Sequence, residues 1–330
     1  MMGTALSRTN TPSIHSSRVT PCSLDPENQN YDKCDSIVSN NSKLHKKSKQ
    51  NIVTLVGHEK GITCVSLDSN NALLVTGSDD CTARIWEIAS NECLAVLKGH
   101  YAYISSVAFQ ETGDIFAITA SADHTIRKWG PLPDHVEVNQ FQPHKKGKIN
   151  DMKIYKNICF SACYDTTIIA IDLNTGDTLR EFTGHKHSVI TIVYTMKRDF
   201  FNISGQADIE QNLWMDEASD LNNQKLASGS ADWSIRVWDI VTGSAIQVLK
   251  GHSGAVMSVT FDEEKICVIS ASKDATIRKW NILSGQCLHV CQGHESSVTK
   301  VMLDPLNISN MLCQQLEIMF CFNMNFVCKF

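Results

Sequence analysis

Residues 225–239 read KLASGSADWSIRVWD, and this stretch decides the fold because the chain repeats its pattern. Each copy carries a run of β-formers, a turn with an aspartate, and a tryptophan position six residues after that aspartate. The other copies are LLVTGSDDCTARIWE at 73–87, FAITASADHTIRKWG at 116–130, ICFSACYDTTIIAID at 158–172 and CVISASKDATIRKWN at 267–281. Self-similarity at a fixed period predicts a fold of stacked, equivalent units.

A Gly-His dipeptide recurs with the same period. It stands at 57–58, 99–100, 184–185, 251–252 and 293–294, and Pro143-His144 fills the remaining slot. Successive histidines are about 42 residues apart, and the one interval of 67 residues predicts an insertion at about 197–224 in the fourth unit.

Each unit has the pattern of four short strands. β-Branched and aromatic residues form runs of about five to seven, bounded by Gly, Asp, Asn and Ser turns. In the first unit the strands are expected at about 62–67, 72–77, 82–88 and 93–97.

Over residues 51–303, the Gly-His dipeptide, the turn aspartate and the tryptophan make the chain resemble the WD40-repeat family. The resemblance implies an all-β propeller with five complete four-stranded blades and a partial sixth, in an incomplete or open ring. A lone sheet of this kind has two apolar faces, and it buries them only by stacking against neighbouring sheets.

The resemblance also implies a hydrogen-bond relay inside each blade, from tryptophan to a strand Ser or Thr, to the Gly-His histidine, to the turn aspartate. Its members are His58, Thr76, Asp80 and Trp86; His100, Thr119, Asp123 and Trp129; His185, Ser228, Asp232 and Trp238; and His252, Ser270, Asp274 and Trp280. Ile171 replaces the tryptophan of the third unit, so we expect blade three to be the least stable complete blade.

Both ends of the chain depart from the repeat. Residues 1–50 are rich in Ser, Thr, Asn and Lys and are expected to form a disordered polar tail. The pattern stops after residue 303, and 304–330 form an atypical apolar tail without an aspartate turn or a tryptophan. This ending resembles that of a truncated family member. Ile52–Val56 is expected to be an outer strand that completes a final blade.

Charge and composition narrow the function classes. A net charge of −5 gives no general attraction to nucleic acid, which is therefore not the expected partner.

MMGTALSRTN contains no secretory signal, and no apolar run is long enough for a membrane span. Thirteen cysteines without paired spacing fit a reducing compartment. We expect a cytoplasmic protein, with the nucleus as an alternative, and no membrane partner.

No catalytic, cofactor or metal site is expected. A catalytic His/Ser/Asp set occurs once in an enzyme, whereas here the set recurs in every unit. Cys159 with Cys163, and Cys287 with Cys291, have ligand residue types, but these pairs fall on different units and a structural zinc site needs two matched pairs.

The family resemblance places partner contacts on the loops that follow each Gly-His and on the aspartate turns. The candidate partner-binding residues are Tyr101, Tyr103, Lys145, Lys146, Lys148, Tyr164, Lys186 and Lys273. This aromatic and basic mix favours a non-catalytic protein scaffold that binds acidic or phosphorylated peptides. The alternatives are RNA binding through Lys43–Lys49 and the blade-three lysines, and, from another class, an enzyme using the propeller channel.

Overall fold

The computed structural model describes residues 53–195, 224–262 and 267–303, together with two short strands at Glu317–Met319 and Cys328–Lys329. Its regular structure consists of antiparallel sheets. The tail predicted at 1–50, almost all of the insertion at about 197–224 and most of 304–330 lie outside the described residues. Within the described part of the chain, no helix has the length and apolar character needed to span a membrane.

Five four-stranded sheets, the blades, follow one another along the chain, each with its strands in sequence order. Blade one contains β1 (Ile62–Leu67), β2 (Leu73–Ser78), β3 (Thr82–Glu87) and β4 (Cys93–Lys98). Blade two contains β5 (Ile104–Thr112), β6 (Asp114–Ser121), β7 (Ile126–Trp129) and β8 (Glu137–Phe141). Blade three contains β9 (Ile149–Tyr155), β10 (Ile158–Cys163), β11 (Ile168–Asp172) and β12 (Thr178–Phe182). Blade four contains β13 (Val189–Tyr194), β14 (Lys225–Ser230), β15 (Ile235–Asp239) and β16 (Ala245–Leu249). Blade five contains β17 (Val256–Asp262), β18 (Cys267–Ser272), β19 (Ile277–Asn281) and β20 (Cys287–Cys291).

The predicted fold class, an all-β propeller with five complete blades, is confirmed. The first strands of successive blades contact one another in chain order, β1 with β5, then β9, β13 and β17, so they form the innermost layer. The period-two alternation of apolar residues made these strands recognisable, because it reflects which side chains face a neighbouring blade.

The apolar core lies between the blades. One cluster joins Val75, Ile85 and Leu97 of blade one to Ile104 and Phe109 of blade two, and similar clusters join each later pair. Close approach of the inner strands requires a small residue. A Cβ on Gly77 would lie 2.5 Å from Cγ2 of Ile104, and one on Gly229 would lie 2.6 Å from Cγ1 of Val256. Glycine at these two positions therefore lets the next blade pack directly against the strand.

The ring of blades is not closed, which confirms the predicted incomplete ring. On the inner strand of blade two, Ile104 and Val107 are 0% and 6% exposed because they pack against blade one. The equivalent residues of blade one, Ile62 and Val65, are 52% and 62% exposed. Blade one thus presents to solvent the face that blades two to five bury.

The sixth sheet differs from its prediction. The sequence pattern predicted one inner strand. The structure has three strands, in which β21 (Met302–Leu303) pairs with β22 (Glu317–Met319) and β22 pairs with β23 (Cys328–Lys329). The predicted outer strand at Ile52–Val56 is wrong in its described part, because residues 53–58 have no regular secondary structure. The strands described for this sheet are β21, β22 and β23, and Val53–Val56 is not among them.

Candidate functional site

The histidines, aspartates, hydroxyls and tryptophans of the predicted relay lie within hydrogen-bond distance in four blades. Trp Nε1 donates to the strand hydroxyl at 2.8–2.9 Å, and that hydroxyl lies 2.7–2.8 Å from histidine Nε2. Histidine Nδ1 lies 2.7–2.9 Å from the aspartate. All groups are satisfied when Nδ1 carries the histidine proton and donates it to the carboxylate, while the hydroxyl donates to Nε2.

The relay positions the loops that carry the candidate binding residues. The aspartate that accepts the histidine bond also accepts the backbone N–H of the residue after that histidine. These bonds measure 3.0 Å from Glu59, 3.0 Å from Tyr101, 2.9 Å from Lys186 and 3.0 Å from Ser253. An ionised acceptor makes such bonds stronger than neutral ones. The buried relay therefore supports the backbone of the loop surface.

Blade three keeps only part of the relay. His144 Nδ1 lies 3.0 Å from Asp165 and its Nε2 lies 2.8 Å from Ser161, but Ile171 offers no N–H donor. Ser161 Oγ donates to the carbonyl of Ile169 at 3.2 Å. Among the hydrogen bonds of the described third blade, none joins the backbone of Lys145 to Asp165, so this loop lacks the restraint found in the other four.

One group of potential metal ligands occurs within the described residues, formed by His144, Cys163 and Asp165, whose ligand atoms lie within 4.8 Å of one another. Cys163 takes the position of a serine in the other blades. Like Ser121 Oγ, which donates to the carbonyl of Tyr103, Cys163 Sγ donates to a loop carbonyl, that of Gly147, at 3.2 Å. Burial raises the pKa of the Cys163 thiol to about 12. The cysteine therefore replaces a structural hydroxyl, and its proton serves that bond.

A tyrosine and lysine cluster lies where the loops of blades two and three meet. The Lys148 ammonium lies 5.9 Å from the ring centroid of Tyr103 and 5.9 Å from that of Tyr164. Tyr164 is 60% exposed and Tyr101 is 89% exposed, with the guanidinium of Arg127 at 6.0 Å from the Tyr101 ring. The cluster joins side chains from two blades, and Lys148 is its centre.

The remaining candidate lysines occupy neighbouring loops. Lys145 and Lys146 are exposed on the loop that leads to Lys148, and Lys186 is exposed on the equivalent loop of blade four. Lys273 is exposed as well, but it belongs to the aspartate turn of blade five, two blades away from Lys148. The structure therefore groups the blade-two, blade-three and blade-four residues more closely than Lys273.

Trp233 is a surface residue that the repeated pattern does not single out. It follows the relay aspartate of blade four, is 54% exposed and has a φ of 68°. Positive φ is uncommon for a bulky residue. The equivalent residues Cys81, His124, Thr166 and Ala275 also have positive φ, so a tight turn imposes this conformation in every blade. A large aromatic residue at a turn position was the signal that could have identified it.

The relay makes stability depend on pH. Burial alone would raise the pKa of Asp165, but hydrogen bonds from His144 and Thr167 outweigh it and lower that pKa to about 2. The aspartates of the other four blades have pKa values well below the usual range for the same reasons. Burial lowers the pKa of His185 and of His252, although their aspartates oppose the shift.

Acidification is expected to destabilise the protein in two stages. A histidine or aspartate whose pKa is lower in the folded state stabilises the fold above its unfolded pKa, because the unfolded chain binds more protons. His185 and His252 lose this contribution below about pH 6.5, and the aspartates lose theirs below about pH 4. Thermal melts between pH 8 and pH 3 measure the effect. Identical melting temperatures at pH 7 and pH 5 would contradict the histidine stage.

A family model described as "WD domain, G-beta repeat" matches residues 49–87, 91–130, 216–239 and 243–281. The unit between 131 and 182 has no matched segment. This is the blade in which proline replaces the glycine before histidine and isoleucine replaces the tryptophan.

Curated relatives match most of the propeller region. Nuclear distribution protein nudF of Aspergillus niger is 24% identical over 63% of this chain and 42% of its own length. WD repeat-containing protein pop2 of Schizosaccharomyces pombe is 29% identical over 64% of this chain and 25% of its own length. CCR4-associated factor 4 of Saccharomyces cerevisiae is 23% identical over 73% of this chain and 40% of its own length. The chain thus spans less than half the length of these relatives.

A solved structure shares the fold. The crystal structure of the computationally designed Ika8 protein aligns with a TM-score of 0.60 and 26% sequence identity, over 81% of this chain and 70% of that chain.

Proposed function

Because this chain carries WD40 repeats, we propose that it is a non-catalytic scaffold that binds acidic or phosphorylated segments of other proteins through the tyrosine and lysine cluster. The observation that carries the proposal is the position of the Lys148 ammonium between the rings of Tyr103 and Tyr164. Two adjacent blades contribute these rings, so a bound segment would cross the boundary between the blades.

The charge of the cluster favours an anionic segment. Lys145 and Lys146 are exposed on the same loop as Lys148, and Lys186 is exposed on the equivalent loop of blade four. Asp165, the carboxylate of the blade-three turn, is already engaged by His144 and by the hydroxyl of Thr167. The cluster therefore presents positive charge that its own aspartates do not neutralise, and phosphate or carboxylate oxygens would complete it.

The exposed aromatic rings supply contact area. Tyr101 and Tyr164 are more than half exposed, and tyrosine is enriched among the residues that dominate binding energy. An aromatic ring beside a lysine contributes about 0.5–1 kcal/mol at an exposed site, so several such contacts are needed for a stable complex. The four lysines and three tyrosines of the surface could together provide these contacts.

The relay supports a structural role for the histidines and aspartates. The His/Asp/hydroxyl set that resembles a hydrolase triad recurs in five blades, and its histidines are buried under the loops. A nucleophile must be reachable by substrate, whereas Thr119, Ser228 and Ser270 are 0% exposed. This recurrence and burial favour a non-catalytic role for the set.

Within the repeat family, we infer that this chain is similar to WD repeat-containing protein 86. The order of the repeats and the long interval inside the fourth unit support this inference.

Replacing both Tyr103 and Lys146 with alanine is expected to weaken binding of a fluorescein-labelled, phosphoserine-containing acidic peptide at least tenfold. The double variant removes one ring beside Lys148 and one exposed positive charge, each worth about 1 kcal/mol at a well-packed contact. Fluorescence anisotropy over a panel of phosphorylated, unphosphorylated acidic and basic peptides measures the change.

Lys60→Ala is the matched control, since Lys60 holds in blade one the loop position that Lys146 holds in blade three. It should bind as the unmodified protein does. Equal affinities for acidic and basic peptides, or unchanged affinity in the double variant, would refute the proposed site. Retention of a single-stranded RNA oligonucleotide that falls steeply with salt would favour the RNA-binding alternative.

A further inference from the structure

Blade three departs from the other complete blades at three points around its relay histidine. Its loop is longer: the inner strand begins at Ile149, five positions after His144, whereas four positions separate the equivalent residues elsewhere. The second strand ends in a serine in the other four blades and in Cys163 here. Ile171 stands in place of the tryptophan. The surroundings of the His144 imidazole are therefore unlike those of the other relay histidines.

The longer loop leaves one oxygen of Asp165 available. In the other four blades, the aspartate oxygen that bonds to histidine also accepts a backbone N–H of the loop. Within the described residues, Oδ2 of Asp165 is hydrogen-bonded to His144 alone, at 3.0 Å, while Oδ1 accepts the N–H and the hydroxyl of Thr167. The Asp165 side chain is 22% exposed, against 5–8% for the other relay aspartates. Oδ2 thus keeps a free lone pair on a side chain that reaches solvent.

The missing tryptophan changes where His144 can carry its ring proton. In the other blades the strand hydroxyl accepts the indole N–H and donates to histidine Nε2. Ser161 receives no indole N–H, and its hydroxyl donates to the carbonyl of Ile169 at 3.2 Å. Ser161 Oγ can therefore accept a proton from Nε2 of His144, which lies 2.8 Å away. That tautomer leaves a lone pair on Nδ1, the nitrogen that faces Asp165.

Three different ligand atoms come together beneath this loop. Nδ1 of His144, Sγ of Cys163 and a carboxylate oxygen of Asp165 lie within 4.8 Å of one another. Imidazole nitrogen, thiolate sulfur and carboxylate oxygen are the ligands that zinc takes, often as three protein ligands with one water. Zinc bond lengths place the ligand atoms of a tetrahedral site about 3.3–3.6 Å apart, so the three side chains need to move only slightly.

We propose that His144, Cys163 and Asp165 bind one zinc ion, with water as the fourth ligand. Binding releases one proton to solvent, that of the Cys163 thiol, which gives up its bond to the carbonyl of Gly147. His144 stays neutral, because its proton moves from Nδ1 to Nε2 and is donated to Ser161, the usual arrangement behind a metal-bound histidine. The thiolate and the carboxylate balance the charge of the ion, so the buried site is neutral. The site does not rest on the function proposed for the tyrosine and lysine cluster.

The test is equilibrium dialysis of the reduced full chain against Zn²⁺ buffered by a chelator, followed by metal analysis. Cys163→Ser restores the residue of the other blades, and it should weaken binding of the ion at least about tenfold, since even the loss of an outer-shell partner has an effect of that size. Cys93→Ser/Cys287→Ser, which removes two exposed thiols, is the matched control and should bind normally. With Co²⁺ as the probe, thiolate-to-metal absorption should be lost in Cys163→Ser alone. Equal zinc binding by Cys163→Ser and the unmodified protein would overturn the proposal, because the ion would then sit on other groups.

Moving the thiol to blade two tests the surroundings of the cysteine. Ser121 ends the second strand there, as Cys163 does in blade three, but the relay of blade two is complete: Trp129 supplies its indole N–H, and Asp123 accepts the N–H of Tyr101. Ser121→Cys/Cys163→Ser should therefore not regain zinc binding. Recovery would show that any thiol beside a relay suffices and would refute the proposed site. If Cys163→Ser does not fold, Asp165→Asn takes its place in the dialysis, with the same expected loss and the same refuting result.

Discussion

Replacing Trp238 with alanine is expected to lower the free energy of unfolding by about 3–5 kcal/mol, the cost of a large buried aromatic side chain. Trp238 is 1% exposed and packs in the core between blades three and four, with its ring 5.8 Å from Phe182. Its Nε1 donates to Ser228 at 2.9 Å, so the variant also removes one link of the relay. Urea denaturation followed by circular dichroism measures the loss.

Trp238→Phe is the control that separates packing from hydrogen bonding. It keeps an aromatic ring next to Phe182 but has no N–H donor for Ser228, which still bonds to His185. Its expected cost is about 1–2 kcal/mol, from one hydrogen bond and a partial loss of volume. If the alanine and phenylalanine variants lost equal stability, the packing of the ring against blade three would not be the source.

Asp151→Ala is expected to cost about 3 kcal/mol or more, because this carboxylate joins three blades. It accepts hydrogen bonds from Ser106 of blade two and from Thr191 and the backbone N–H of Ile192 in blade four. It also accepts the N–H of Met152 and pairs with Lys153 at 3.1 Å. Each buried donor left without an acceptor costs about 1–3 kcal/mol. The difference in unfolding free energy from urea denaturation tests this expectation.

Ser258→Ala is the matched control, since Ser258 holds in blade five the strand position that Asp151 holds in blade three. Its hydroxyl donates a single long bond of 3.5 Å to the carbonyl of Val301, so its loss should cost less than about 1 kcal/mol. Equal effects of the two substitutions would mean that Asp151 does not join the blades.

The strands could be predicted from the sequence because they depend on spacing along the chain, and the relay was implied by the family resemblance. A strand alternates with period two, and the Trp86, Thr76 and Asp80 offsets repeat from unit to unit. Because these offsets recur in several units, they are not a coincidence. The sixth sheet was different: the residues at 317–319 and 328–329 lack the repeated pattern, so their pairing with Met302–Leu303 could not be predicted.

The candidate binding surface could be predicted from the sequence only in part. Comparing loops predicted that Tyr103, Lys148 and Tyr164 belong to one end of the propeller, but not that Lys148 lies equally far from both rings. The repeated pattern places Trp233 directly after the relay aspartate, but it does not show how far a turn side chain is exposed. Trp233 is 54% exposed on this turn, whereas the equivalent residues of the other blades, which share its positive φ, are half-buried.

By itself, the sequence determined the β class and the number of complete blades, since these follow from the repeated pattern, and its resemblance to the repeat family implied the members of each relay. Only the tertiary structure decided the reach of Asp151 across three blades and the open face at Val65. These features arise between units, where the packing distance and angle of two sheets set which side chains meet. Spacing along the chain does not encode that geometry, because it is set by the combined volumes of residues far apart in the sequence.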